Sequence, residues 1–268
     1  MTVLCILFGL HAIAGSVDTI EMKSVHLKKA IKFVVVQPSN QSQQNNTQER
    51  YPVVYLLNGY DGNYAQWSKT APQLAKTADD LKMIFVYADG GKSSWYFDSP
   101  LDSTSQYESY ITKELVPYVD ANFSTKASSN SRAITGLSMG GHGALYLAIR
   151  HSDIFGAAGS TSGGFDFRPF PKSWNLQNLL GAYEINKERW YDYTVMRQVE
   201  LLTNKQLAIV FDCGVDDIFI AVNRALHEKL LTLKIDHDYI ERSGGHNHAY
   251  WRNSIDFQML YFHQFFQT

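Results

Sequence analysis

Two cysteines in 268 residues, Cys5 and Cys213, are too few for a disulfide framework or a cysteine-rich zinc site. Charge of one sign is also missing: 24 Lys and Arg stand against 26 Asp and Glu, a formal net charge of −2. That balance excludes a protein held to nucleic acid or to an anionic membrane surface by bulk electrostatics. No internal repeat is present, which excludes a solenoid, and no linker divides the chain. Nor is any apolar run long enough to cross a bilayer as a helix. Disorder is excluded by what the sequence does contain. With 45% hydrophobic and 19% charged residues, it can bury a sizeable core. Its 16 Tyr, 15 Phe and 5 Trp point to an aromatic-rich globular enzyme or binding module.

Residues 1–17 contain no Lys, Arg, Asp or Glu. The apolar run Val3 to Leu10 is followed by Ala12-Ile13-Ala14, an A-x-A pattern of the kind cleaved in secretory signal peptides. The expectation is a signal peptide over residues 1–14, an exported protein (periplasmic or secreted) and a single mature domain over 15–268. Cleavage would leave Cys213 alone, without an intramolecular disulfide.

Beyond that, the chain alternates two kinds of pattern. Ile31 to Val36 is a β-branched strand signal, followed by a polar loop from Ser39 to Arg50. Short apolar runs at Val53–Leu57, Met83–Tyr87, Ala133–Thr135 and Leu207–Phe211 suit strands covered on both faces, as in a parallel sheet. Helical patterns lie between and after them, at Tyr107–Asn122, Gly140–His151 and Val222–Leu233. In the last of these Val222, Leu226, Leu230 and Leu233 share a face. Strand and helix in alternation predict an α/β fold, a mostly parallel central sheet with helices on both faces. Gly164 to about Leu202 breaks the alternation and reads as an insertion over the sheet.

Between the strand at Ala133–Thr135 and the helix from Gly140 stands Gly136-Leu137-Ser138-Met139-Gly140-Gly141. This is G-x-S-x-G in its required setting of strand, sharp turn and helix, so Ser138 is the candidate nucleophile. Serine is a weak nucleophile alone and needs a base oriented by an acid. Past the strand Leu207–Phe211, Asp216 and Asp217 sit beyond Gly214, where either carboxylate can reach a histidine. Asp212 lies nearer the strand end. The strand His237–Ile240 ends in Ser243-Gly244-Gly245-His246-Asn247-His248, and His246, after two glycines and ahead of a helix near Trp251, is placed to act as base. His142, four residues past Ser138 on the helix, reads as a packing residue. His246-Asn247-His248 has no obvious third ligand nearby, so no metal is expected.

Taken in order, Tyr51-Pro52-Val53-Val54-Tyr55-Leu56-Leu57-Asn58-Gly59, the Gly136–Gly143 elbow, Gly214-Val215-Asp216-Asp217 and Gly244-Gly245-His246 with Tyr250-Trp251 form a specific set. On these the chain resembles the esterase family of α/β-hydrolases that includes feruloyl and acetyl esterases, S-formylglutathione hydrolases and mycolyltransferases. The resemblance implies an α/β-hydrolase fold and a serine esterase that needs no cofactor. It selects Asp217 as the acid, with Asp216 the alternative. Its Gly-Gly-His segment selects His246, while S-formylglutathione hydrolases would align their base with His248. It also implies an oxyanion hole from the backbone amides of Tyr60 and Met139, with Asn58 at a position where relatives often carry His or Asp. The loop Asp89 to Asp98 resembles the family's substrate-side loop, so Ser94, Trp95 and Tyr96 are candidate acyl-pocket residues.

The insertion holds Phe165, Phe167, Phe170, Trp174, Tyr183, Trp190, Tyr191 and Tyr193. Some of these must be its own core. The functional reading is an aromatic-rich cap over about 164–202, with Phe165, Trp174 and also His248 near the substrate. An exported member of such a family implies feruloyl or acetyl esters, small or linked to plant polysaccharide. A thioesterase or acyltransferase of the S-formylglutathione hydrolase kind is the alternative, and a non-catalytic carbohydrate-binding relative is the alternative from another class.

Overall fold

The computed structural model describes residues 15–39 and 49–268. The expected signal peptide with Cys5, and most of the Ser39–Arg50 loop, lie outside the described residues. The described chain opens with β1 (Ser16–Ser24) and β2 (Lys29–Gln37), paired antiparallel. There follow β3 (Val53–Leu57), α1 (Gln66–Thr70), α2 (Leu74–Leu81) and β4 (Ile84–Ala88). The helix expected over Tyr107–Asn122 forms in three parts: α3 (Tyr107–Tyr110), a π-helical turn (Ile111–Leu115) and α4 (Val116–Asn122). Pro117 lies at the start of α4, and its missing N–H breaks the regular ladder where the turn widens.

The second half runs β5 (Arg132–Gly136), α5 (Met139–Arg150) and β6 (Ala157–Thr161). The insertion then folds into three short helices, α6 (Leu176–Leu180), α7 (Lys187–Asp192) and α8 (Val195–Gln198). Finally come β7 (Ala208–Gly214), α9 (Ile220–Leu233), β8 (Asp238–Arg242) and α10 (His248–Phe265). The strands form one eight-stranded sheet in the order β1-β2-β4-β3-β5-β6-β7-β8. From β4 to β8 all neighbours are parallel. β7 extends past the Leu207–Phe211 run, so Asp212 lies inside the strand.

The unbroken apolar runs have a simple cause. Side chains on a strand alternate between faces, so a strand covered on both faces must be apolar at every position. In β3, Val53, Tyr55 and Leu57 join the core beneath α3–α5 and α9, while Val54 and Leu56 join the one beneath α1, α2 and α10. β4 divides in the same way, with Ile84 and Val86 on one face and Phe85 and Tyr87 on the other.

Register then positions the site. Leu57 pairs with both Ala88 and Gly136, and Leu137 bridges to Thr161, which pairs with Asp212. The loops after β3, β4 and β5 therefore leave the sheet side by side, next to those after β6 and β7. This is the carboxyl end of the parallel strands, where open α/β sheets carry their ligands.

Candidate active site

Ser138 occupies a strained turn between β5 and α5, with φ 57° and ψ −116°. A conformation of this kind costs a non-glycine residue about 1–3 kcal/mol and persists only where its surroundings enforce it. Here the Ser138 amide donates to Thr161 O at 3.0 Å. The flanking glycines allow the turn to close. A Cβ on Gly136 would stand 2.4 Å from the Gly140 carbonyl, and one on Gly140 would stand 2.3 Å from Leu57 O.

Two further loops converge on this serine. Ser138 Oγ lies 3.0 Å from His246 Nε2, and His246 Nδ1 lies 2.9 and 3.0 Å from the Asp217 carboxylate oxygens. Asp217 is 3% exposed, and its Oδ1 also accepts the Phe219 N–H at 2.8 Å. The Asp217 and His246 loops are joined by backbone: Val215 N–H donates to Arg242 O and Asp216 N–H to Gly244 O, each at 2.9 Å. His246 is gripped edge-on by Trp251 and Phe219, at ring separations of 5.0 and 5.4 Å. Trp251 in turn donates its Nε1–H to Ser162 Oγ at 3.1 Å. Just after His246, the Asn247 side chain accepts the Tyr250 N–H and starts α10.

The alternatives weighed from sequence separate clearly. Asp216 is exposed, and it is the Asp217 carboxylate that meets His246. His248, the first residue of α10, is exposed and turns its Nδ1 to Thr70 Oγ1 at 2.8 Å. Met139 begins α5, so its amide has no partner within the helix. Neither it nor the Tyr60 amide donates to another group among the described residues. Gly59, just before Tyr60, packs on Ser138, since a Cβ there would sit 3.5 Å from Ser138 Cβ.

Several expected substrate contacts prove to be supports. Asn58 is 0% exposed. Its Oδ1 accepts the Gly90 N–H at 2.7 Å and the Tyr96 O–H at 2.9 Å, and its Nδ2 donates to Gly59 O at 2.9 Å. It clamps two neighbouring loops and is closed to substrate. Tyr96 and Phe165 are likewise fully buried, and Trp95 is 1% exposed, packed among His142, Phe167 and Trp174. Ser94 accepts the Tyr96 N–H. Of the expected aromatic contacts, Trp174 remains partly open. Its ring lies 5.3 Å from both Phe170 and Phe219, so the aromatic wall reaches His246 through Phe219. Phe219 escaped the sequence reading, although its place two residues after Asp217 was the available signal.

Two buried titratable groups brace these loops. His142 is 0% exposed, with Nδ1 at 3.2 Å from Trp95 O and Nε2 at 3.0 Å from Tyr193 O. Burial pushes its pKa down to about 4 against the pull of both carbonyls. Asp212 ties β7 to β6 and α10 through Thr161, Ser254 and Gln258, and burial raises its carboxyl above the usual range. The Cys213 thiol is also buried and shifted well up. Among the described residues no group of three His, Cys, Asp or Glu side chains could hold a metal, and no helix is long and apolar enough to cross a membrane.

The strand order, the strained serine elbow and the loops gathered at the strand ends define an α/β-hydrolase of the esterase class. The chain belongs to the family described as putative esterase, whose sequence model matches residues 24–262. It is 29% identical over 224 residues to an esterase of Mycobacterium tuberculosis, covering 73% of this chain. The chain spans about half of that relative's length, 48%. It is 25% identical over 256 residues to an acetyl esterase of Caldicellulosiruptor saccharolyticus, covering 88% of this chain and 94% of the relative. A solved ferulic acid esterase superposes with a TM-score of 0.79 at 25% identity, over 94% of this chain and 99% of that one.

Proposed function

We propose that the protein is a serine carboxylesterase that works through an acyl-enzyme on Ser138, with feruloyl or acetyl esters of plant polysaccharide as substrates. The observation that carries this reading is the hydrogen-bonded line from Ser138 Oγ through His246 to the buried Asp217. His246 Nε2 takes the Ser138 proton as Oγ attacks the ester carbonyl. Asp217 accepts the Nδ1–H, which fixes the tautomer and stabilises the imidazolium. The amides of Met139 and Tyr60 receive the oxyanion, aided by the positive end of α5. His246 then protonates the departing alcohol, water attacks the acyl-enzyme, and the acid leaves. The cycle calls for no cofactor.

The acyl preference is supported by the wall of Phe170, Trp174 and Phe219, which offers aromatic faces to a planar acyl group. The acetyl and ferulic acid esterases among the similar proteins point the same way. Export, suggested by the Ala12-Ile13-Ala14 pattern, would bring the enzyme to such a substrate. The deciding experiment is Ser138→Ala assayed on methyl ferulate, acetylated xylan and 4-nitrophenyl acetate. A fall in kcat on the order of a thousandfold or more is expected. Turnover at the wild-type rate would sink the reading.

A further inference from the structure

A cleft of about 290 Å³ lies between the Asp89–Asp98 loop and the start of α6. Polar side chains, Lys29, Lys92, Asp102, Asn175 and Asn178 among them, share its walls with Tyr107 and Leu179. Three adjacencies set it against the candidate reaction centre. Lys92 O accepts the Asp61 N–H at 2.8 Å, and Asp61 follows Tyr60 and Gly59, the residue packed on Ser138. Ser94 lines the cleft and precedes Trp95. Asn175 lines it and follows Trp174, which reaches His246 through Phe219.

Backbone strain marks both sides of it. Trp95 and Tyr96 have φ of 54° and 62°, and Trp174 and Asn175 have φ of 54° and 57°. Two consecutive non-glycine residues in the left-handed region, on each of two loops, persist only where the surrounding structure holds them there. In both loops an aromatic ring packs into the wall, the two indoles 5.5 Å apart. A polar neighbour, Ser94 or Asn175, is left lining the cleft.

Its lining holds two ammonium groups, Lys29 and Lys92, against one carboxylate, Asp102. Asp102 is already engaged by the Thr104 N–H at 2.8 Å and O–H at 2.6 Å, which hold its carboxyl below the usual range. Lys29 Nζ donates to Tyr107 Oη at 3.0 Å and makes no ion pair among the described residues. Lys92 Nζ stands 3.2 Å from Asp61, an exposed contact of little strength. Half-buried Asp89 spends its Oδ1 on the Gly91 N–H and feels the Lys29 charge.

We propose that this cleft is a specificity subsite for a carboxylate-bearing, hydroxyl- or amide-rich part of the ester substrate. The anion lies between Lys29 and Lys92, and the polar remainder lies along Asn175 and Asn178. The inference rests on the esterase reading and narrows its substrate class. Two sources present this chemistry, a uronate on an acylated oligosaccharide and the carboxylates of a glutathione thioester.

The test uses the full chain, Lys92→Gln, and the double variant Lys29→Gln/Lys92→Gln. One arm compares acetylated xylo-oligosaccharides with and without a glucuronate branch. The other compares S-formylglutathione with its dimethyl ester, and 4-nitrophenyl acetate is the uncharged reference. In at least one arm, wild-type kcat/KM should favour the acidic member by about tenfold, expressed in KM. That preference should shrink in Lys92→Gln and fall to about twofold or less in the double variant. The uncharged reference should hold its rate. No preference in either arm, or an equal fall on the reference, overturns the subsite. Ser138-dependent turnover of 4-nitrophenyl acetate keeps the esterase reading standing either way, and its absence from the wild type would sink that reading instead.

Discussion

Acidification should destabilise the fold through His142, and the size of the effect follows from its surroundings. Both ring nitrogens face carbonyl oxygens, Trp95 O at 3.2 Å and Tyr193 O at 3.0 Å. A neutral imidazole has one N–H and can serve only one of them. The imidazolium could serve both, yet full burial among Trp95, Phe97, Tyr146 and Phe167 makes a charge there costly. Burial wins, and the pKa drops from the ordinary 6.5 to about 4. The more distant Asp166 pulls the other way. Between those two values the unfolded chain binds the proton and the folded chain does not. Stability from this residue is therefore complete above about pH 6.5 and declines as the pH falls toward 4. At about pH 4.5 the loss amounts to ~2.5 kcal/mol. Urea unfolding near neutrality and at that acid pH measures it, with His142→Gln as the non-titrating control. The variant should lose ~2.5 kcal/mol less than wild type over the same interval. An NMR titration of the folded protein gives the pKa directly. A His142 midpoint near 6.5, or equal acid losses in the two proteins, refutes the reasoning.

Asn58→Ala removes the acceptor of the Gly90 N–H and the Tyr96 O–H, both buried, and should cost about 2–4 kcal/mol in urea melts. A raised KM with unchanged stability would return Asn58 to the substrate. Gly140→Ala forces a Cβ to 2.3 Å from Leu57 O and 2.7 Å from Asn58 O, backbone atoms that cannot move aside. Either stability falls by about 1–3 kcal/mol or the elbow shifts and kcat collapses, and a variant wild-type in both respects would contradict the geometry. Asp217→Asn should keep the fold while kcat drops by roughly three to four orders of magnitude, because the amide can donate to Nδ1 and favours the wrong tautomer. A loss below tenfold would remove Asp217 from the relay.

What could be read from sequence divides along physical lines. β3 and β4 were legible because burial on both faces demands an apolar residue at every position. The elbow was legible because its glycines answer to backbone clashes that any side chain would create. β6 was not, since Ala157-Ala158-Gly159-Ser160-Thr161 is small rather than apolar. It must be small: a Cβ on Gly159 would stand 2.5 Å from Gln258 Oε1, and one on Gly141 of α5 would stand 2.3 Å from Ser160 Oγ. α1 and α2 were missed because each is short, with only Trp67, Thr70, Leu74 and Ala78 buried. Asn58 shows the other limit. Its place in a functional loop suggested contact with substrate, and only the side-chain bonds reveal a clamp between loops.

The residues that meet at Ser138 are far apart in sequence, 108 positions between Ser138 and His246 and 29 between His246 and Asp217. Their geometry is set by sheet register and by hydrogen bonds between loops, to which the start of the cap adds the Gly164 N–H on Ser138 O at 3.3 Å. The cap connects β6 to β7, and none of the three residues lies within it. Its aromatic side chains approach the Ser138–His246–Asp217 line at Phe219, against which Phe170 and Trp174 pack. A change at Trp174 thus reshapes the wall beside His246 while the Asp217 and Ser138 contacts stay anchored to β5, β7 and β8. The fold in this way separates the parts expected to fix reaction chemistry from those expected to choose the ester. Substitutions in the cap should therefore move KM across a substrate series before they move the rate on a small acetyl ester.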